Sequence, residues 1–155
     1  DIYYEQIFYL YNLDGVISEE EQQTLNDIQT QVALINNKTA PTNELILGVY
    51  PQYYYFLQSI PPIEIATNLT IPILVLQGER DYQVTPENDF IQWKNAFNAS
   101  NRVDLKSYQN LNHLFIYGEG PPNNLEYQNR SHVSEEIITD ISHWIQNNYT
   151  LSPGD

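Results

Sequence analysis

The 155-residue chain contains no cysteine and no methionine, and its 6 Lys and Arg stand against 20 Asp and Glu. Without cysteine there is no disulfide, no thiolate metal site and no cysteine nucleophile. Methionine is missing even at position 1, so Asp1 is not expected to be a translational start, and the chain reads as a fragment of something longer. The net charge of −14 repels phosphate backbones and anionic lipid, which are bound through clusters of Lys and Arg that this sequence lacks. Neither nucleic acid nor a membrane surface is therefore an expected partner. No apolar run approaches the ~20 residues of a membrane span.

What is present suffices for a core. Hydrophobic residues make up 41%, with thirteen Tyr, five Phe and two Trp, so wholesale disorder is not expected despite the charge. The length is that of one ordinary domain or a piece of a larger one. Five Asn-x-Ser/Thr sequons begin at Asn37, Asn68, Asn98, Asn129 and Asn148 and lean toward a secreted or extracytoplasmic location. Asn is abundant enough for sequons to arise by chance, and a signal peptide would lie upstream, so localisation stays open.

The first 36 residues read as two helices. Ile2, Ile7, Leu10 and Leu13 mark one, and Leu25, Ile28, Val32 and Ile35 mark the other at spacings of 3, 4 and 3. Asp14-Gly15 is a turn between them, and Ser18 followed by Glu21 is a capping box for the second. Residues 38–62 carry Pro41, Gly48, Pro51 and Pro61-Pro62 around the aromatic cluster Tyr50 and Tyr53 to Phe56, which predicts irregular structure with one short helix.

From residue 71 the pattern changes. Residues 71–76 are a continuous apolar run bounded by Gly78, too short for a helix and rich in β-branched residues, which predicts a strand over 71–77 buried on both faces. Thr85-Pro86-Glu87 starts a helix over 86–98 with Phe90, Trp93 and Phe97 inward. Residues 103–108 alternate as a half-covered strand, and Val133, Ile137, Ile138, Ile141, Trp144 and Ile145 make an amphipathic helix over 131–147. This βαβα order predicts an α/β fold with parallel strands. Two strands are too few for a buried sheet, so further strands are expected elsewhere in the protein.

In such a sheet, ligands bind beyond the carboxyl ends of the strands. Asp81 follows the first strand and His113 lies five residues past the second, so neighbouring strands would deliver both to one edge. An Asp that holds a His in one tautomer is two thirds of a hydrolytic triad. Taken singly, an Asp or a His after a strand is usually a solvated surface residue; Glu79 and Asp89 are the alternative acids. His143, about 200° around its helix from Ile141, and His132, at a helix start, read as surface residues.

Here the sequence resembles the α/β-hydrolase superfamily in its C-terminal part. Residues 71–84, Ile-Pro-Ile-Leu-Val-Leu-Gln-Gly-Glu-Arg-Asp-Tyr-Gln-Val, look like the acid segment of bacterial esterases and dienelactone-hydrolase-like proteins. Tyr108 to Phe115 look like the His segment and 131–147 like the closing helix. The resemblance implies a helical cap over 1–62 and the C-terminal part of the hydrolase core over 63–155. It also implies a serine hydrolase acting on ester or acyl small molecules, in which Asp81 orients His113, and no cofactor or metal is called for. Tyr53, Tyr54, Phe56 and Tyr82 are candidate substrate contacts. The sequence departs from the family in having no Gly-x-Ser-x-Gly elbow, and none of its eight serines sits on a strand-turn-helix. The nucleophile and the oxyanion hole are thus expected upstream, in the rest of the same hydrolase core, and the 155 residues alone are expected to be inactive.

Two other readings remain at this point. A serine peptidase of the prolyl-oligopeptidase type resembles the same region. A calcium-binding or interaction module could use residues 10–21, which place Asn12, Asp14, Gly15 and Glu21 at EF-hand positions. Leu10, however, has no oxygen for the first ligand position.

Overall fold

A computed structural model describes residues 2–149. They form two units divided between Ile65 and Ala66.

In the first unit, α1 spans Ile2–Tyr11, a 3-10 turn spans Asn12–Asp14, and α2 spans Glu19–Asn36. Gly15, at φ 79°, closes the turn through its N–H to Asn12 O, a conformation that a side chain disfavours. The capping box forms: Ser18 Oγ accepts from Glu21 N at 3.2 Å, and Glu21 Oε2 accepts from Ser18 N at 2.9 Å. Leu25, Ile28, Val32 and Ile35 are buried, as their spacing requires. No residue of α1 is buried, contrary to the one-sided reading of Ile2, Ile7 and Leu10. Tyr and Phe surround those residues on all sides of α1, so partial burial of many replaces full burial of a few.

Two of the EF-hand positions make local hydrogen bonds. Asp14 Oδ1 accepts from Val16 N at 3.0 Å, and the Glu21 carboxylate takes both the N–H and the hydroxyl of Ser18. Further on, Ala40 and Ile46 pack on Ile35, and α3 spans Pro51–Gln58 with Pro at its first turn, where no N–H is missed. A second short helix, α4 over Pro62–Asn68, escaped the sequence reading. Its seven residues include two Ile and a Thr and bury only Ala66, which leaves no periodic signal.

The second unit carries β1 (Ile73–Gly78), a wide π turn over Pro86–Phe90 leading into α5 (Ile91–Phe97), β2 (Val103–Tyr108), a 3-10 turn over Asn124–Gln128, and α6 (Glu135–Asn148). The strands are parallel, in register from Ile73↔Val103 to Gly78↔Tyr108. Pro72 has no N–H to give, so the ladder begins one residue later with Ile73 N bonded to Arg102 O, rather than at residue 71. Thr85 caps the helix as its sequence predicts, accepting from Asn88 N, with Phe90 and Phe97 buried beneath. The last helix starts at Glu135 instead of 131, because Ser134 N is held by Phe115 O in extended backbone.

Ile73 to Leu76 are half-buried rather than covered on both faces. On β2 the alternation holds through Lys106: Val103 is buried, and Asp104 and Lys106 are exposed. Helix α6 is fixed over β2 by Ile137 against Tyr108 and Leu111, by the Tyr108 hydroxyl and Lys106 ammonium on Asp140, and by Trp144 Nε1 on Asp104. Ile138, Ile141 and Ile145 stay exposed among the described residues. A pair of strands about 4.8 Å apart is narrower than the stripe of a helix about 10 Å across, so one Ile is covered and its neighbours are not.

Replacing Ser18 with Ala should lower stability by about 1 kcal/mol, measurable as a reduced urea midpoint by far-UV circular dichroism. Calcium should leave the wild-type midpoint unchanged. A midpoint raised by micromolar calcium, and not raised in Glu21→Gln, would instead establish an ion site at residues 10–21.

Candidate active site

Both strands end at the same level, and the backbone just beyond them is crossed. Glu79 N donates to Tyr108 O, and Arg80 N donates to Leu111 O, so the loop leaving β2 folds directly over the end of β1. Gly78 makes this possible: a Cβ there would lie 2.4 Å from Leu111 O and 2.6 Å from Asn112 O. Because the strands are parallel neighbours, that crossing carries the following residues of both loops to one sheet edge.

There the structure brings Asp81 and His113 together, with His113 Nδ1 2.8 Å from Asp81 Oδ2. The Asp81 side chain is 6% exposed and that of His113 39%. The carboxylate is fully engaged. Its Oδ1 accepts from Gln83 N at 2.8 Å and from Val84 N at 2.9 Å, and its Oδ2 also receives a long 3.4 Å contact from buried Gln77 Nε2. Gln77 is itself anchored on the carbonyls of Gly78 and Val84. A carboxylate that is ionised only accepts, so the tautomer that suits this contact carries its proton on Nδ1 and offers Nε2 as an acceptor.

The alternative acids do other work. Glu79 accepts from the Ser107 hydroxyl, and Asp89 accepts from Thr85 N as part of the cap of the helix that follows. His132 and His143 are exposed, with His132 turned to the Val133 carbonyl. Tyr82, the candidate contact next to Asp81 in the sequence, is buried. In the first unit, Tyr54 lines an apolar cavity of about 370 Å³ with Ile2, Ile35, Leu47 and Leu57, and its hydroxyl donates to Leu47 O. Burial raises that phenol above its ordinary value, helped by the neighbouring Tyr3 and Tyr53. Tyr53 and Phe56 are exposed and not among that cavity's lining residues.

Sequence reasoning missed the residues that hold the His113 loop. Asn112 is 0% exposed: its Oδ1 accepts from Leu114 N and Ile116 N, and its Nδ2 donates to Glu126 Oε2 at 3.0 Å. Glu126 also receives the guanidinium of Arg80, whose remaining donors reach Glu119 O and Gly120 O. Next in the chain, the Tyr127 phenol oxygen accepts from Gln83 Nε2 at 3.1 Å. Phe115, at φ 55°, turns the loop back so that its N–H meets Asn112 O. Arg80 and Asn112 sit beside the two residues singled out, but Glu126 is 46 positions from Arg80, and local spacing carries no sign of that pairing.

Burial disfavours the charge on Glu126, but the Arg80 and Asn112 hydrogen bonds and the Arg80 charge outweigh it and hold the carboxyl below its usual value. Burial raises Tyr127, with Asp81 and Glu126 adding to the shift and the Gln83 hydrogen bond and the nearby His113 backbone opposing it. Among the described residues no group of three or more His, Cys, Asp or Glu converges as a metal site.

The chain is 36% identical over 141 residues to a protein named Esterase EstD from Thermotoga maritima, a match that covers 91% of this chain and 32% of that protein. It thus spans about a third of the length of that relative. No family model and no solved structure match the chain.

Two outcomes are expected from this geometry. Gly78→Ala should destabilise by about 1–3 kcal/mol or more, because backbone rather than a flexible side chain must give way, and it should displace His113 from Asp81. Chemical denaturation and the His113 ring resonance read the two effects. Since the Glu126 carboxyl is depressed in the folded chain, its contribution to stability is present above the unfolded carboxyl pKa and lost as pH falls through the lower, folded value. The urea midpoint should therefore drop as pH falls below the ordinary carboxylate range, and drop less in Glu126→Gln.

Proposed function

We propose that this chain supplies the acid and the base of a Ser-His-Asp triad in a serine hydrolase of the α/β-hydrolase type, acting on carboxylic esters. The observation that carries the reading is the 2.8 Å contact between Asp81 Oδ2 and His113 Nδ1 at the carboxyl ends of two parallel strands. The similarity to Esterase EstD supports the ester as substrate class, and the absence of any Gly-x-Ser-x-Gly supports a nucleophile outside these 155 residues. On this reading residues 1–62 are a helical cap and 63–155 the acid- and base-bearing part of the core. Small ester or acyl molecules are the substrates, and the rest of the same core is the structural partner.

The chemistry then runs through the tautomer already set. His113 Nε2 takes the proton of the serine hydroxyl as its oxygen attacks the acyl carbon, and Asp81 stabilises the imidazolium that forms. The imidazolium returns that proton to the leaving alkoxide oxygen, which departs as the alcohol and leaves an acyl-serine. Water, deprotonated by Nε2 in turn, releases the acid and restores the serine. Two backbone donors on Asp81 Oδ1 keep the carboxylate from rotating away, so Oδ2 stays aimed at the ring.

In the longer protein that contains this chain, His113→Ala should lower turnover of a p-nitrophenyl ester by several orders of magnitude, and Asp81→Asn by roughly 10⁴-fold. The 155 residues alone should show no turnover above buffer. Full activity of the longer His113→Ala enzyme would place the base elsewhere and remove the assignment.

A further inference from the structure

The residues beneath the dyad form a second, continuous system. Arg80 and Glu126 pair with side chains 9% and 20% exposed, and Glu126 passes the contact on to the fully buried Asn112, whose Oδ1 collects the N–H groups of Leu114 and Ile116. His113 therefore sits between two anchored residues. The Tyr127 oxygen accepts from the side chain of Gln83, the residue whose backbone N–H bonds Asp81. Glu126 and Tyr127 are neighbours in one 3-10 turn, Asn124–Gln128, so a single short element grips both the acid loop and the His loop.

Gly118 adds to the same seat. A Cβ there would lie 1.9 Å from an Arg80 guanidinium nitrogen, so the guanidinium is packed against bare backbone. Its donors to Glu119 O and Gly120 O then fasten the segment that leads from the His loop to the 3-10 turn. The network spans residues 80 to 127, and its members lie in the two loops, in the 3-10 turn or in the segment that leads to it from the His loop.

We infer that the turn carrying Glu126 and Tyr127, locked by Arg80 and Asn112, is the positioning device that keeps the His113 ring on Asp81. The inference deepens, and rests on, the triad reading above. Glu126 and Tyr127 act through His113 and touch no reacting atom, so they are positioning residues. Holding a base to within a fraction of an ångström is worth much in rate, because a displacement of about 1 Å can cost about 100-fold. Losing one partner of such a pair leaves the other's charge uncompensated, so the lock is also sensitive to single substitutions.

The test uses ¹⁵N-histidine labelling of the longer protein, with the His113 ring signals assigned by their loss in His113→Ala. Wild type should show His113 as the single tautomer protonated at Nδ1. Tyr127→Phe removes the phenol oxygen that accepts from Gln83, and Glu126→Gln removes the charge that holds Arg80 and turns one of the two accepting oxygens into an N–H donor. Each should give a mixture of tautomers, with kcat on the p-nitrophenyl ester reduced about 10- to 100-fold and KM little changed. Arg80→Lys, which keeps a cation beside Glu126, should retain more of the wild-type tautomer than Arg80→Gln. Should Glu126→Gln fail to fold, Tyr127→Phe carries the test, since it buries no unpaired charge. A single Nδ1-protonated tautomer persisting in folded Tyr127→Phe and Glu126→Gln would overturn the inference. A tautomer mixture with undiminished turnover would uphold the positioning role and overturn the triad reading on which its purpose rests.

Discussion

The second unit depends on one close crossing: the loop that leaves β2 passes over the last residue of β1, where Gly78 has no side chain to stop it. In-register parallel pairing brings Gly78 level with Tyr108, and two backbone hydrogen bonds, Glu79 N to Tyr108 O and Arg80 N to Leu111 O, then stitch the two loops together. Asp81 and His113 meet because these backbones are joined first. Long side chains reaching for one another would leave the contact to rotamer entropy, of order 1–2 kcal/mol per freed side chain, whereas here the scaffold has already fixed both ends.

A crossing of this kind takes backbone polar groups and several side chains out of water, and the structure answers with satisfied partners. Asn112 uses both ends of its amide, Gln77 bonds two carbonyls and the Asp81 carboxylate, and the Arg80 guanidinium is shared among Glu126 and two carbonyl oxygens. An unmade bond at any of these buried positions costs about 1–3 kcal/mol, more for a charged group, so the network is sensitive at every member. Its net contribution to folding is modest, because each bond replaces one to water. What it supplies is a unique geometry at the carboxyl ends of the strands, which a base in the proposed triad requires.

The parts of this arrangement that were legible in the sequence are those written in short-range pattern. Ser18 and Glu21 announce the start of α2, and Leu25, Ile28, Val32 and Ile35 give its buried face, because capping and 3.6-residue periodicity act within a few positions. Strand order, with the two strands as neighbours, put Asp81 and His113 at one edge, and the resemblance of the segments around them singled the pair out. The grip of Glu126 on Arg80 and Asn112 was not legible, since it joins a loop of Gly, Pro and Asn to residues far back in the chain, and nothing local signals such a contact. α4 was missed for want of a periodic face. The stripe on α6 was legible as a pattern, but a pattern records which residues favour burial and not what covers them. Ile137 finds Tyr108 and Leu111, while Ile138 and Ile145 remain exposed.

The central claim is that Asp81 and His113 are the acid and base of a serine hydrolase whose nucleophile lies outside these 155 residues. The most direct measurement is to label the longer protein with a fluorophosphonate and map the adduct by mass spectrometry, since the reagent phosphonylates only an activated serine beside an oxyanion hole. The account predicts one modified serine, within a Gly-x-Ser-x-Gly sequence upstream of Asp1, and no adduct when His113 is replaced by Ala. An adduct on any of the eight serines of this chain, or undiminished labelling without His113, would contradict it.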